Sequence, residues 1–105
     1  EVRMTAHAVR DLEEIVEWIA RHDGPERSQH VLDRIRAAVD ALKRFPERGA
    51  HPAELVALGI REYRETFFKP YRIVYHVDGA RVFISLIADS RRDMQSLLAR
   101  RLLAG

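Results

Sequence analysis

Apolar and polar positions are patterned most sharply between Pro70 and Asp93. Two runs rich in β-branched and aromatic residues, Tyr71 to Val77 and Val82 to Ala88, flank Asp78-Gly79, a dipeptide suited to the positive φ of a tight hairpin turn. Strict alternation puts Tyr71, Ile73, Tyr75 and Val77 on one face of the first strand and Arg72, Val74 and His76 on the other. The same rule puts Val82, Ile84, Leu86 and Ala88 of the second strand opposite Phe83, Ser85 and Ile87. Both faces are largely apolar, so the hairpin belongs inside a sheet with cover on each side.

The remaining segments supply that cover. Val2-Arg3-Met4 reads as a short edge strand, and Thr5 as the N-cap of a helix over Ala6 to His22. In that helix Val9, Leu12, Val16 and Ile19 recur at helical spacing and predict a core stripe. Beside it runs a second stripe, Asp11, Ile15, Trp18 and His22, which either widens the buried face or lines a groove for a partner helix, while Arg10, Glu13, Glu14, Glu17 and Arg21 face water. Asp23-Gly24-Pro25 breaks the helix and starts another, whose stripe Val31, Leu32, Ile35, Val39 and Leu42 predicts an antiparallel helical hairpin. Phe45-Pro46 through His51-Pro52 is a loop, and Ala53 to Leu58 is either one helical turn or irregular. Ile60 to Phe67 predicts another strand, and Asp93 caps a short final helix with Met94, Leu97, Leu98 and Leu102 on its apolar side. The predicted fold is α+β: an N-terminal helical hairpin packed on a small, mainly antiparallel β-sheet with a short C-terminal helix. One domain over residues 1–105 is expected, since 105 residues with 47% hydrophobic content suffice for a single core.

Charge changes the picture more than composition does. Net charge is +2, but residues 1–60 carry −2 and residues 61–105 carry +4. Sixteen of the 18 basic residues are arginine, the side chain fitted to bidentate contacts with carboxylate or phosphate. The chain contains no cysteine, which excludes a disulfide framework and thiolate metal sites and fits a reducing compartment. No apolar run approaches the roughly 18 residues of a membrane span, and neither a leader nor membrane association is expected.

Motifs for chemistry are sparse. Neither a glycine-rich phosphate loop nor His-Glu-x-x-His is present, and no serine has the small neighbours of a nucleophile elbow. The five histidines lack ligand spacing, although His76 is a candidate acid or base. No metal, cofactor or catalytic constellation is expected. The arginines Arg72, Arg91 and Arg92 are predicted near one edge of the hairpin, either as a basic contact surface or as ion-pair partners for Glu62, Asp89 or Asp93.

Five pieces in register carry a resemblance: Ala8-x-x-Asp11-Leu12-x-x-Ile15, Phe45-Pro46-x-x-Gly49, Leu58-Gly59-x-Arg61-Glu62, Pro70-Tyr71-Arg72-Ile73-Val74-Tyr75 and Arg91-Arg92-Asp93. Together they resemble the ParE branch of the RelE/ParE toxin superfamily over essentially the whole chain. The resemblance implies a cytoplasmic bacterial toxin of a type II toxin–antitoxin system, neutralised in a hetero-oligomer by a ParD-like antitoxin with a ribbon-helix-helix N-terminus. RelE-like members cut messenger RNA on the ribosome with basic residues on the strand before the hairpin, two arginines and an aromatic hydroxyl on the final helix. Here Arg72 and Arg92 match the arginines, whereas Tyr63 and Glu65 stand where lysines are expected and Leu97 or Leu98 where tyrosine is expected. That departure favours the ParE-like activity, blockage of DNA gyrase by a protein that is not itself a hydrolase. The RelE-like ribosome-dependent endonuclease is the alternative, and a plain protein-binding module sharing only the fold is a third class. The expected contact residues for gyrase or nucleic acid are Arg72, Arg91 and Arg92. Those expected for the antitoxin are Asp11, Glu14, Ile15 and Trp18, with Ile15 and Trp18 as anchors.

Overall fold

A computed structural model describes residues 1–103. Strand β1 (Val2–Met4) leads directly into helix α1 (Ala6–Asp23), and the Thr5 hydroxyl accepts from the Ala8 amide at 3.2 Å as the N-cap. Gly24, at φ +93°, reverses the chain in a single residue, and Pro25 opens α2 (Pro25–Ala41). The one-turn helix α3 (Ala53–Val56) resolves the segment that the sequence left between a turn and an irregular stretch. Strands β2 (Tyr63–Phe68), β3 (Tyr71–Asp78) and β4 (Arg81–Asp89) follow, then α4 (Met94–Leu98), continued by a π-helical segment, Ala99–Leu103. The sheet order is β1-β4-β3-β2, antiparallel except for the β1–β4 pair, and the helical hairpin packs on one face.

The hairpin turn sits one residue later than expected. Asp78 pairs with Arg81, so the two loop residues are Gly79, at φ +62°, and Ala80. A larger difference lies in β4. Val74 pairs with Leu86 but Tyr75 with Ile84, leaving Ser85 as the extra residue of a β-bulge. One inserted residue inverts a period of two, so the alternation expected from the sequence holds only as far as Ile84. Val82, Ile84 and Ile87 join the core under the helical hairpin with Ile73 and Tyr75. Leu86 and Ala88 turn to the opposite face, where Leu55, Met94, Leu97 and Leu98 cover them.

The core stripe of α1 also differs from expectation. Ala8 and Ile19 are buried and Leu12 and Ile15 pack against the main core, whereas Val9 is 41% exposed. The small Ala8 side chain lets the helix approach the sheet closely and rotates its buried side toward Ile15. Val9 and Val16 instead line a cleft shared with Leu32, Ile35 and Val39 of α2 and with Val2 and Met4.

The loop after α2 is pinned by backbone rather than by apolar contacts. The Gly49 amide donates to the buried Tyr75 hydroxyl at 3.0 Å, and Arg64 donates to the carbonyls of Glu47 and Gly49 at 3.1 and 2.8 Å. A Cβ on Gly49 would stand 2.6 Å from the Tyr75 hydroxyl and closer still to the Glu65 carbonyl oxygen. Both obstacles belong to the sheet, so Gly49→Ala is expected to lower stability by about 1–3 kcal/mol, as overpacking does. A thermal melt that matches wild type would show that the loop yields instead.

Candidate functional site

The α1 stripe and the end of β4 meet in a groove of about 360 Å³. Asp11, Glu14, Ile15 and Trp18 line it from α1, Tyr71 and Ile87 from the sheet, and Asp89, Arg91 and Arg92, with the end of β4 at Ala88, from the other side. The four residues expected for the antitoxin and two of the three arginines expected for the target, Arg91 and Arg92, therefore line one site. Trp18 is 52% exposed and stacks on His22 with ring centroids 4.0 Å apart. Its His22 partner is fixed by helical geometry: His22 Nδ1 lies 2.8 Å from the Trp18 carbonyl, one turn away. Ile15 lines the groove but also packs against the main core, so of the two expected anchors Trp18 is the exposed one.

Asp11 is also engaged within the fold. Its carboxylate accepts two hydrogen bonds from Arg101, both at 2.9 Å, and one from the Ile87 amide at 3.0 Å. Arg101 donates in addition to the Ser85 carbonyl at 3.1 Å. Strand β1 pairs β4 only through Ile84, so Ser85 and Ile87 lie where the β4 edge has run past its neighbour. The Asp11–Arg101 pair satisfies backbone groups that would otherwise lack a partner beside the bulge. The carboxylate raises the Arg101 pKa further above its ordinary value. Sequence reasoning missed Arg101 because it lies 90 residues from Asp11, and the final helix was read for its leucines alone. A carboxylate on the margin of an apolar helix face was the available signal, since such a group needs a cation.

The three arginines do not converge. Arg91 pairs with Asp89 through Nε at 2.9 Å, which holds the Asp89 carboxyl below its usual range, and both face the groove. Arg92 also faces the groove, and among the described residues no salt bridge reaches it. Arg72 lies on the other face of the sheet, where strand alternation sends it, and is only 8% exposed. Its guanidinium makes a bidentate contact with Glu54 of α3, both bonds 2.7 Å, and donates from Nε to Glu65 of β2 at 2.8 Å. The expectation of a shared basic edge is thus corrected for Arg72, and its partners are Glu54 and Glu65 rather than Glu62, Asp89 or Asp93. Hydrogen bonds from Arg72 lower the Glu54 pKa, while burial is the dominant influence on Glu65 and raises its pKa. Both directions follow from geometry: Glu54 receives the fork and retains solvent contact, whereas Glu65 is buried and binds Arg72 through one oxygen.

Among the described residues no cluster of His, Asp and Glu is arranged to hold a metal ion, and no helix is long and apolar enough to cross a membrane.

Comparisons with known proteins agree on the fold. The chain superposes on a structure described as the chromosomal ParDE TA system from P. aeruginosa with a TM-score of 0.71 and 23% identity, covering 85% of this chain and 94% of that one. It also superposes on the toxin-antitoxin complex RelBE2 from Mycobacterium tuberculosis with a TM-score of 0.57 and 24% identity, covering 84% and 94%. No curated protein sequence matches. The family model described as ParE toxin of type II toxin-antitoxin system, parDE, matches residues 2–94, a span that includes the helical hairpin, the whole sheet and every wall of the groove. The chain is therefore a member of the ParE toxin family of type II toxin–antitoxin systems.

Proposed function

We propose that this toxin acts by blocking DNA gyrase rather than by cutting messenger RNA, and that a ParD-like antitoxin neutralises it by occupying the groove between α1 and the end of β4. The observation that carries the first half is the state of Arg72. An arginine able to stabilise a phosphoryl transition state must be free to meet the developing charge. This one is buried and held by two carboxylates of its own chain. Glu65 also places negative charge where a phosphate would approach, and the final helix offers buried Leu97 and Leu98 in place of a proton-transferring hydroxyl.

The second half rests on the groove. Asp11 and Asp89 are already paired, which leaves Glu14 on one wall and Arg92 on the other as charges open to a partner. An amphipathic antitoxin segment with an apolar stripe over Trp18 and Tyr71 would meet both. Such a segment would cover Arg91 and Arg92, so a single binding event would mask the basic wall.

Purified toxin incubated with gyrase and supercoiled plasmid is expected to inhibit supercoiling or to trap cleaved plasmid, and Arg92→Ala is expected to weaken that effect. Messenger cleavage by translating ribosomes with gyrase untouched would overturn the reading in favour of the RelE-like nuclease. For the antitoxin, Trp18→Ala is expected to cost about 2 kcal/mol or more of binding, roughly thirtyfold in affinity, as tryptophan anchors do. The melting temperature should change little, because Trp18 is already half exposed. Unchanged calorimetric affinity would place the antitoxin elsewhere.

A further inference from the structure

Strand β2 is an edge of the sheet, and its outer side is only partly closed. In the antiparallel ladder with β3, Arg64, Thr66 and Phe68 turn their backbone groups inward, whereas Tyr63, Glu65 and Phe67 turn theirs outward. The chain itself meets the first two of the outward set. His51 Nδ1 lies 3.0 Å from the Tyr63 carbonyl, and the Glu65 amide donates to the Ala50 carbonyl at 2.8 Å, an antiparallel bridge made by the loop after α2. Phe67 is left over. No described residue hydrogen-bonds its outward amide or carbonyl, and Phe67 is 52% exposed. Beside it a recess of about 430 Å³ opens between β2 and α2, lined by Ala38 and Ala41 of the helix, Gly49 and Ala50 of the loop, and Thr66 and Phe67 of the strand. Four small residues leave that space unfilled. Arg48 also lines the recess, Arg34 lies over the Phe68 ring at 5.7 Å, and Lys69 follows in the turn after β2. All three cations are exposed, and among the described residues none takes part in a salt bridge. The carboxylate at the recess, Glu65, is already held by Arg72.

We propose that this edge takes up a short, acidic, extended segment of a partner protein, which continues along β2 the pairing that Ala50 begins. The Ala50–Glu65 bridge shows that the edge accepts an antiparallel neighbour. A partner residue opposite Phe67 would exchange both main-chain hydrogen bonds with it, as in strand addition to an open sheet edge. The residues on either side of that one would point to the face of Thr66 and Phe68, toward α2 and into the recess, so small apolar side chains suit those positions. Acidic residues flanking them would meet Arg48, Arg34 and Lys69, three open cations with no competing free carboxylate in the recess. Charge selects against the other occupants. A second copy of this chain would set the same three cations against themselves, and like charges in apposition are destabilising. Duplex DNA suits the cations but has no main-chain groups for Phe67 and no side chain to enter the recess. Because the loop already covers Glu65 and the turn begins after Phe68, the paired stretch is short and the contact readily reversible. None of the residues lining the recess lines the groove between α1 and β4, so this contact is separate from the one assigned to the antitoxin and does not depend on gyrase being the target.

The test is fluorescence anisotropy of the full chain with a dye-labelled peptide, Glu-Val-Glu-Leu-Glu-Val-Glu, beside its counterpart with lysine at every glutamate and a short DNA duplex. Salt-sensitive binding of the acidic peptide, with no binding of the lysine peptide, is expected. Arg48→Glu should weaken it about fivefold at low salt, with the difference fading as salt rises. Phe67→Pro removes the outward amide and leaves the bonds to β3 in place, a substitution that edge strands tolerate, and Phe67→Val keeps the amide. The proline variant should bind roughly threefold to tenfold more weakly than the valine variant, the worth of one main-chain hydrogen bond. Should Phe67→Pro fail to fold, hydrogen exchange in the wild-type chain decides: saturating peptide should slow exchange of the Phe67 amide about tenfold, while the Glu65 amide, already bonded, is protected with or without peptide. Absence of acidic-peptide binding, a Phe67 amide whose exchange the peptide leaves unchanged, or tighter capture of the duplex that Arg48→Glu abolishes would each overturn the proposal, the last in favour of nucleic acid. A peptide-free dimer in analytical ultracentrifugation that Phe67→Pro dissolves would overturn it in favour of a second copy.

Discussion

A chain ended after Asp93 is expected to lose cooperative folding. The deletion removes Met94, Leu97 and Leu98, which are all buried and cover Val74, Leu86 and Ala88 on the face away from the helical hairpin. Each large apolar side chain taken from a core represents about 1.5–3 kcal/mol of burial, against a total stability of about 5–15 kcal/mol for a domain of this size. The same cut removes Arg101, leaving the partly buried Asp11 carboxylate without its cation and the Ser85 carbonyl without its donor. Both losses act on β4, the strand that holds β1 and β3 together. Circular dichroism and urea titration should show a broad, non-cooperative transition or aggregation. A truncated chain that stays soluble and monomeric and melts sharply would show that α4 is dispensable. Arg101→Ala in the full-length chain separates the two contributions, since it leaves the leucines in place.

Replacing Arg72 with alanine is expected to destabilise the fold by about 3–5 kcal/mol, because it leaves two carboxylates facing each other with no cation between them. Any loss of growth inhibition in this variant should follow the fraction folded rather than report on a reactive centre. An Arg72→Met, Glu65→Met pair should be less damaging than Arg72→Met alone, since it removes the buried carboxylate and leaves only Glu54, which retains solvent contact. The two carboxylates respond to pH with opposite sign. Glu54 is depressed by its hydrogen bonds from Arg72, so the stability it contributes is present above the ordinary value of 4.5 and lost as pH falls through its folded value. Glu65 is raised by burial, so its contribution is greatest below 4.5 and is lost as pH rises through its folded value. Glu65→Gln should therefore gain on wild type as pH is raised from 4.5 toward neutrality, whereas Glu54→Gln should lose ground below 4.5, as pH rises through the folded value of Glu54, and hold level above it. Melting temperatures that run parallel for both variants from acid pH to neutrality would refute this division of roles.

Much of the fold was legible because the forces that specify it repeat along the chain. Helical periodicity in α1 and α2, the Thr5 and Asp93 caps and the Asp78-Gly79 turn signal each depend on residues a few positions apart. The candidate site was partly legible for the same reason, since Asp11, Glu14, Ile15 and Trp18 mark a stripe on one helix and Arg91-Arg92 are adjacent. What only the tertiary structure decided is where elements distant in sequence confront one another. The Ser85 bulge exchanged the faces of Leu86 and Ile87, and nothing in the local alternation marks an inserted residue because both faces are apolar. Ala8 set the rotation of α1 by allowing close contact with the sheet, which moved Ile15 toward the core and Val9 toward solvent. Arg72 was visible as a charge in a strand, but its partners Glu54 and Glu65 are brought to it only when α3 and β2 fold over that face. Arg101 reaches Asp11 across 90 residues. A sequence fixes periodicity through neighbours, whereas the pairing of a buried charge is settled by whichever distant group the completed packing leaves within reach.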